Sequence, residues 1–261
     1  MAVMTTRRAI VRLRGAGTSS APDDLAVEAP LTLSLDDEVL AVLMRTPGHD
    51  LELAAGWLVA ESDVRRPDDI ARMREAREGD GVRISLRDGV TPPRSRAFVT
   101  SASCGVCSAD LIELLPDQTS APHTPGWTVS RDVLTGLPDA MRARQRAFDR
   151  TGGLHAAALA TASGSLGAVR EDVGRHNAVD KVIGRALLDG AVPATDHLLV
   201  VSGRVSFEIV QKALAAGVAG IVAVSAPSSL AVDLARTYGL LLAGLVRGDR
   251  LNIYAEAELI S

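Results

Sequence analysis

The sequence predicts an α/β chain in two parts, a small strand-rich α+β unit over residues 1–116 and a layered α/β domain over residues 127–261. Three observations predict it. The composition is that of a folded protein: 47% of the 261 residues are hydrophobic and 23% are charged, which excludes global disorder. Short alternating apolar runs fill the first hundred residues. After a break at 116–126 that holds three prolines, apolar segments of strand and helix length succeed one another across short Gly-rich connections, the pattern of a mainly parallel mixed sheet.

The elements follow in order. Leu31, Leu33 and Leu35 alternate with Thr32 and Ser34, Asp36-Asp37-Glu38 turns the chain, and 39–44 returns, which predicts a hairpin. Asp50 is read as a helix cap, and Leu51, Ala54, Ala55 and Leu58 fall at helical spacing on one face. The charged segment 64–80 reads as peripheral, followed by strands at 82–86 and 97–100 and a short helix at 111–115. The second part reads as helix 131–148, strands 154–161 and 167–170, helix 175–188, strand 197–201, helix 206–215, strand 221–224, helix 229–238, and strands 240–246 and 251–254. No internal repeat is visible.

Charge and composition narrow the function classes. Aromatics are 3% of the chain and the net charge is -4, so neither a stacking platform nor a basic surface for nucleic acid is present. Any phosphate must be held locally by a few arginines and helix starts. Arg7, Arg8, Arg12 and Arg14 crowd the N-terminus, yet no apolar segment of a signal peptide follows, so export is rejected. The longest uncharged run, 213–232, is broken by Gly217, Gly220 and Pro227 and reads as helix end, strand and loop, not a membrane span. A cytoplasmic protein is expected.

Three segments could carry chemistry. Cys104 and Cys107 are the only cysteines, spaced C-x-x-C among Ser and Gly just before a helix, where a thiolate is stabilised. Buried thiols, half a zinc site and a thioredoxin-like dithiol compete with that reading, but no second ligand pair and no βαβ opening accompany the cysteines. The segment 171–184 crowds Asp172, Arg175, His176, Asn177, Asp180 and Lys181 between apolar elements, which suggests a site wall or an interface. His155 opens a strand just before it, as readily structural as functional. Finally Ser202, Gly203 and Arg204 follow a strand and start a helix, and Ser225 to Ser229 repeats the arrangement. Leu245, Val246, Arg247, Gly248, Asp249 and Arg250 add arginines around a glycine between two strands.

The C-G-V-C at 104–107, T-G-G-L-H at 151–155, E-D-V-G-R-H-N-A-V-D-K-V-I-G at 171–184 and V-S-G-R at 201–204 together resemble the FdhD family of formate dehydrogenase accessory sulfurtransferases. The resemblance spans residues 7–254. It implies a cytidine-deaminase-like three-layer C-terminal domain behind the small N-terminal unit, usually as a homodimer. It further implies a sulfur carrier that takes persulfide sulfur from a cysteine desulfurase and passes it to the bis(molybdopterin guanine dinucleotide) cofactor of molybdenum or tungsten, bound as a substrate, for formate dehydrogenase. No tightly bound metal of its own is implied. Cys104 falls on the family's persulfide carrier, with Cys107 assisting. Leu245 through Arg250 fall on a cofactor stretch, and Ser202, Gly203, Arg204, His176 and Asn177 are placed with them. Ser108 departs from the glycine more usual there. Two other readings remain: a chaperone that binds cofactor or dehydrogenase without moving sulfur, and a zinc nucleobase deaminase. The deaminase needs a glutamate two residues after its histidine, where this chain has Ala157, and its cysteines after that histidine rather than before it.

Overall fold

The structure is a computed structural model that describes residues 3–76, 80–93, 99–100 and 126–261. Cys104, Cys107, the helix expected at 111–115 and the first half of the 97–100 strand lie outside the described residues. Three sheets are present among those described. A ribbon of β1 (Thr5–Arg14) and β2 (Gly17–Ala26) stands alone. A five-stranded sheet has the order β5 (Ile70–Glu75), β6 (Gly81–Leu86), β3 (Ala29–Leu35), β4 (Glu38–Arg45), β7 (Val99–Thr100). A six-stranded sheet has the order β13 (Arg250–Ala255), β12 (Leu241–Arg247), β11 (Gly220–Ala223), β10 (His197–Val201), β8 (His155–Thr161), β9 (Leu166–Asp172).

The β3–β4 hairpin forms as expected, and its loop explains itself. Leu35 pairs with Glu38, and Asp36 and Asp37 between them sit at φ 45° and 77°. A two-residue loop with positive φ at both positions matches the twist of the strands, and Asp tolerates that region better than most residues.

Helices α1 (Asp50–Glu61), α4 (Arg175–Leu188), α5 (Phe207–Ala215) and α6 (Ser229–Thr237) share one large hydrophobic cluster that runs from Leu31 and Leu33 of the five-stranded sheet to Leu199 and Ile221 of the six-stranded one. Helix α2 (Arg131–Arg142) covers the opposite face of the six-stranded sheet through Leu134, Leu137 and Met141. The α/β class and three-layer C-terminal arrangement therefore hold. No helix among the described residues is long and apolar enough to cross a membrane.

The structure departs from the sequence reading in five places. The six-stranded sheet is mixed but not mainly parallel: only β10–β11 and β11–β12 run parallel, because β8, β9 and β13 arrive through hairpins or long returns. Helix 131–148 is two helices, α2 and α3 (Arg146–Thr151). The second starts where the Glu171 carboxylate accepts from Ala147 N at 3.0 Å and Phe148 N at 2.7 Å, a cap delivered from a distant strand. Asp50 is not the cap of α1; His49 is, at φ 60°, and the Asp50 carboxylate takes Arg45 Nη2 at 2.8 Å. Helix α1 is buried on nearly every side instead of on one face, as befits a helix between the five-stranded sheet and α4. The peripheral segment 64–80 holds β5, whose charges suit an edge strand, and the arginine-rich N-terminus forms β1.

Two helices meet with almost no space between them. A Cβ on Gly56 would lie 1.8 Å from Asp180 O, and one on Gly184 would lie 1.8 Å from Glu52 O. Above this crossing, Asp172 and Lys181 are fully buried and pair at 2.7 Å. Lys181 Nζ also donates to Thr46 O at 2.8 Å, Thr46 N to Asp172 Oδ2 at 3.1 Å, and Asn177 Nδ2 to Met44 O at 2.8 Å. The polar residues of segment 171–181 thus bind the start of α1 to the later half of the chain.

Two predictions follow from this junction. Gly184→Ala meets backbone that has no freedom to yield, so it should cost at least the ~1–3 kcal/mol typical of overpacking, read as a lowered urea midpoint. Glu52 of α1 receives Arg170 Nη2 of β9 at 2.8 Å. Burial raises its carboxyl, but Arg170 and His49 outweigh this and lower it from 4.5 to about 2. A lowered folded-state value gives stability that is present above about pH 4.5 and lost as pH falls toward 2. Glu52→Gln should remove ~1–2 kcal/mol at neutral pH, after discounting for partial solvent screening, and flatten the acid limb of a stability–pH curve.

Candidate functional site

The parallel strands β10, β11 and β12 end at one edge of the sheet, and their following loops are tied together. Val224 N donates to Val201 O at 3.1 Å, Val205 N to Ala226 O at 3.2 Å, and Ser228 N to Val205 O at 2.9 Å. The Ser228 hydroxyl caps α6 by accepting from Ala231 N at 3.3 Å. Ser206, at the same position of α5, makes no such cap: its hydroxyl lies 3.1 Å from His176 Nε2. His176 Nε2 also meets Glu208 Oε2 at 3.0 Å. Burial raises the Glu208 carboxyl, but the His176 hydrogen bond and the charges of His176, Lys212 and Arg175 bring it below its ordinary value.

On the far side of the edge, β12 bulges. Between the pairs Gly244↔Asn252 and Arg247↔Arg250 the strand carries an extra residue, Leu245 sits at φ 54°, and its N–H donates to Ser225 O at 3.2 Å. The bulge leaves Leu245 exposed while Val246 is fully buried. Gly248, at φ 55°, then turns the chain through the two-residue loop that joins β13. Arg131 Nη2 anchors this tip by donating to Asp249 O at 2.7 Å.

Between the two sides lies a cavity of about 640 Å³, within the range of small-molecule sites. Pro138, Met141, Phe148 and Leu154 give it an apolar wall; Ser202, His155, Arg247 and the backbone of Gly152, Gly153 and Gly248 face it from the sheet edge. Arg142 stacks 4.6 Å above the Phe148 ring and pairs with Asp149 at 2.6 Å, which stiffens that wall.

His155 sits at the floor. Ser202 Oγ accepts from Ala156 N at 2.9 Å and lies 3.5 Å from His155 Nδ1. A Cβ on Gly203 would come within 3.2 Å of that same nitrogen, so a larger residue there would require the imidazole to shift by a few tenths of an ångström. Burial lowers the imidazole below its ordinary value, and the positive charges of Arg175, Arg204 and His176 lower it further against a smaller pull from Asp172. The ring is therefore neutral at pH 7.

Of the residues the sequence singled out, the structure brings Ser202, Val246, Arg247 and Gly248 to one cavity, with Gly203 against its floor. Arg204 is exposed beside them, Asp249 and Arg250 stand at the hairpin tip outside the lining, and Leu245 faces solvent. His176 is engaged by Ser206 and Glu208. Asn177 is buried with its amide on Met44 O and Asp172 Oδ1, a tie between the two halves. Sequence reasoning missed Met141 and Phe148, whose helical spacing reads only as core.

The sequence profile of the FdhD/NarQ family matches residues 26–261. The chain is 44% identical to the sulfur carrier protein FdhD of Streptomyces coelicolor, over all of this chain and 97% of the relative. It is 42% identical to that of Mycobacterium tuberculosis over the whole of both, and 46% identical to that of Nocardia farcinica over 98% of this chain and 94% of the relative. Its fold is that of a crystal structure described as a formate dehydrogenase accessory protein of Desulfotalea psychrophila, with a TM-score of 0.80, 23% identity, and 99% of this chain and all of the other covered.

The bulge yields a prediction of its own. A β-branched side chain tolerates the left-handed region worse than leucine, so Leu245→Val should destabilise by ~1–2 kcal/mol, whereas Leu245→Gly should leave the thermal midpoint equal or higher.

Proposed function

The chain belongs to the FdhD/NarQ family, and from that membership we propose that it is a sulfur carrier, a sulfurtransferase that activates formate dehydrogenase. Its end-to-end similarity to relatives named sulfur carrier proteins carries the reading. The sequence supplies the chemistry such a carrier needs, one C-x-x-C pair among small residues. In the loading step the Cys104 thiolate attacks the outer sulfur of a cysteine desulfurase persulfide. A new S–S bond forms, the donor's S–S bond breaks, and the donor cysteine leaves as thiolate. Cys107 assists by stabilising or resolving the persulfide on Cys104.

The acceptor is the molybdenum or tungsten bis(molybdopterin guanine dinucleotide) cofactor, bound as a substrate. The cavity at the sheet edge supports this reading because it combines what a nucleotide needs: an apolar wall of Met141 and Phe148 for a flat base, and Ser202 and Arg247 for phosphate. Arg204, and Arg250 opposite Arg247, add positive charge at its rim. Asn177, bonded to Met44 O and Asp172 Oδ1, supports the site by fixing the start of α4. The protein acts in the cytoplasm as a homodimer beside the desulfurase and the dehydrogenase.

The competing reading, a chaperone that holds cofactor without moving sulfur, differs in one observable. Intact-mass analysis after incubation with a cysteine desulfurase and cysteine should show one added sulfur on the wild type, none on Cys104→Ser and some on Cys107→Ser. Dehydrogenase made beside Cys104→Ser should contain its cofactor and be inactive. Full loading and full client activity with Cys104→Ser would overturn the assignment.

A further inference from the structure

Among the described residues, Arg175 and Arg204 are charged side chains without an ion-pair partner. Among the described residues neither has a carboxylate within the 4.0 Å of an ion pair or any hydrogen bond from its guanidinium, and Arg175 Nε is buried with no partner. Glu208, whose charge reaches Arg175, is already held by His176 at 3.0 Å. The two cations also act on each other: burial, and then the charge of Arg204, hold the Arg175 guanidinium below its ordinary value. Their repulsion is maintained by the fold, since Arg175 is the first residue of α4 and Arg204 follows β10. Gly203 lies between, where a Cβ would meet His155 Nδ1 at 3.2 Å and Arg175 Cβ at 3.5 Å. In a chain of net charge -4 such a pair stands out, and an anion is the partner that relieves it.

We propose that Arg175 and Arg204 form a phosphoryl seat beside the cavity, binding one phosphate or diphosphate group, and that His155 takes up a proton from solvent as that group arrives. The proposal deepens the reading above, whose cofactor carries diphosphates, but concerns the anion alone. The charges around His155 decide its sign. From β9, Asp172 stands opposite His155 in register, and Lys181 at 2.7 Å already balances it. From α4 come Arg175 and His176, from the loop after β10 come Ser202 and Arg204, from β12 comes Arg247, and from α2 Asp139 and Arg142 line the same cavity. Burial is the first cause that favours the neutral imidazole, and the positive charges that add to it are those the anion would screen. Its arrival therefore favours the imidazolium, and the imidazolium in turn favours the anion.

Calorimetric titration of the full chain with inorganic pyrophosphate, in phosphate-free buffers of different ionisation enthalpy near pH 7, tests both parts. The expected result is binding to the wild type with net proton uptake, affinity reduced about tenfold or more in Arg175→Gln and in Arg204→Gln, and no uptake in His155→Gln. Arg204 is exposed, so its substitution leaves the fold intact and keeps the test valid should Arg175→Gln unfold. No pyrophosphate binding to the wild type, or equal affinity in Arg204→Gln, would overturn the seat. Equal uptake in the wild type and His155→Gln would overturn the proton coupling. Guanosine, which has no phosphate, separates the two readings. Guanosine binding with pyrophosphate affinity indifferent to both arginines removes this proposal alone, whereas arginine-dependent pyrophosphate binding without affinity for guanosine, and with GDP bound no tighter than pyrophosphate, supports it and removes the nucleotide cofactor.

Discussion

Everything else in this molecule depends on the approach of α1 to α4. Backbone meets backbone at Gly56 and Gly184, where an added methyl would occupy the space of a carbonyl oxygen. Helices usually stand 8–10 Å apart with side chains between them, and here the two glycines remove those side chains. The consequence is a single core. Leu53, Leu58 and Val59 of α1 join Val179, Ile183 and Leu187 of α4 in one buried cluster that reaches both large sheets. The strand-rich N-terminal segment therefore does not stand apart; it packs into the later half of the chain through α1, its only described α-helix.

That proximity explains the density of polar residues at 171–181. Closing two helices this tightly buries the backbone of the strand β4 end, including Thr46, and those groups need partners. Asp172, Asn177 and Lys181 supply them, at the cost of burying a charge pair that would lose several kcal/mol, about 3–5, if one partner were removed. The same eleven-residue stretch has a second face. Arg175 and His176, between the inward residues, project toward β10 and α5 instead. One segment thus fixes the junction and delivers cations to the sheet edge, so the junction also sets where the cations stand.

The legible part of the fold is the part with local signals. The period-2 run at Leu31, the Asp36-Asp37 turn and helix 175–188 were all readable because propensity, period and caps lie within a few residues. What was not readable depends on residues far away in sequence. The break before α3 is set by Glu171 and not by a glycine or proline at 143–145. The all-round burial of α1 requires knowing that the five-stranded sheet lies on one side of it and α4 on the other. The ribbon at 5–26 alternates charge with apolar residues weakly, and an arginine-rich start resembles a targeting segment as much as a strand. The site divides in the same way. Ser202, Gly203 and Arg247 carry turn chemistry and could be named; Met141 and Phe148 enter the cavity only because α2 and α3 fold over the sheet edge. Asn177, whose amide bonds Met44 O and Asp172 Oδ1, marks the limit of such reading, because a polar side chain at a helix start looks alike in sequence whether it faces a ligand or a buried carbonyl.

Strain and unpaired charge concentrate at the same edge of the sheet, and this is the last link from fold to function. Leu245 holds a left-handed backbone, Ser206 turns its hydroxyl from its own helix toward His176, and among the described residues the guanidiniums of Arg175 and Arg204 have no carboxylate at ion-pair distance. Each is unfavourable for stability alone and needs a rigid frame to persist. The frame is present: the loops after β10 and β11 are bonded to each other, the β12–β13 tip is anchored by Arg131, and α4 is fixed at its glycine crossing. A site built this way has little order left to lose on binding the anion proposed for it, so in that proposal the ligand's charge acts directly on His155 and the arginines around it instead of being spent on arranging them.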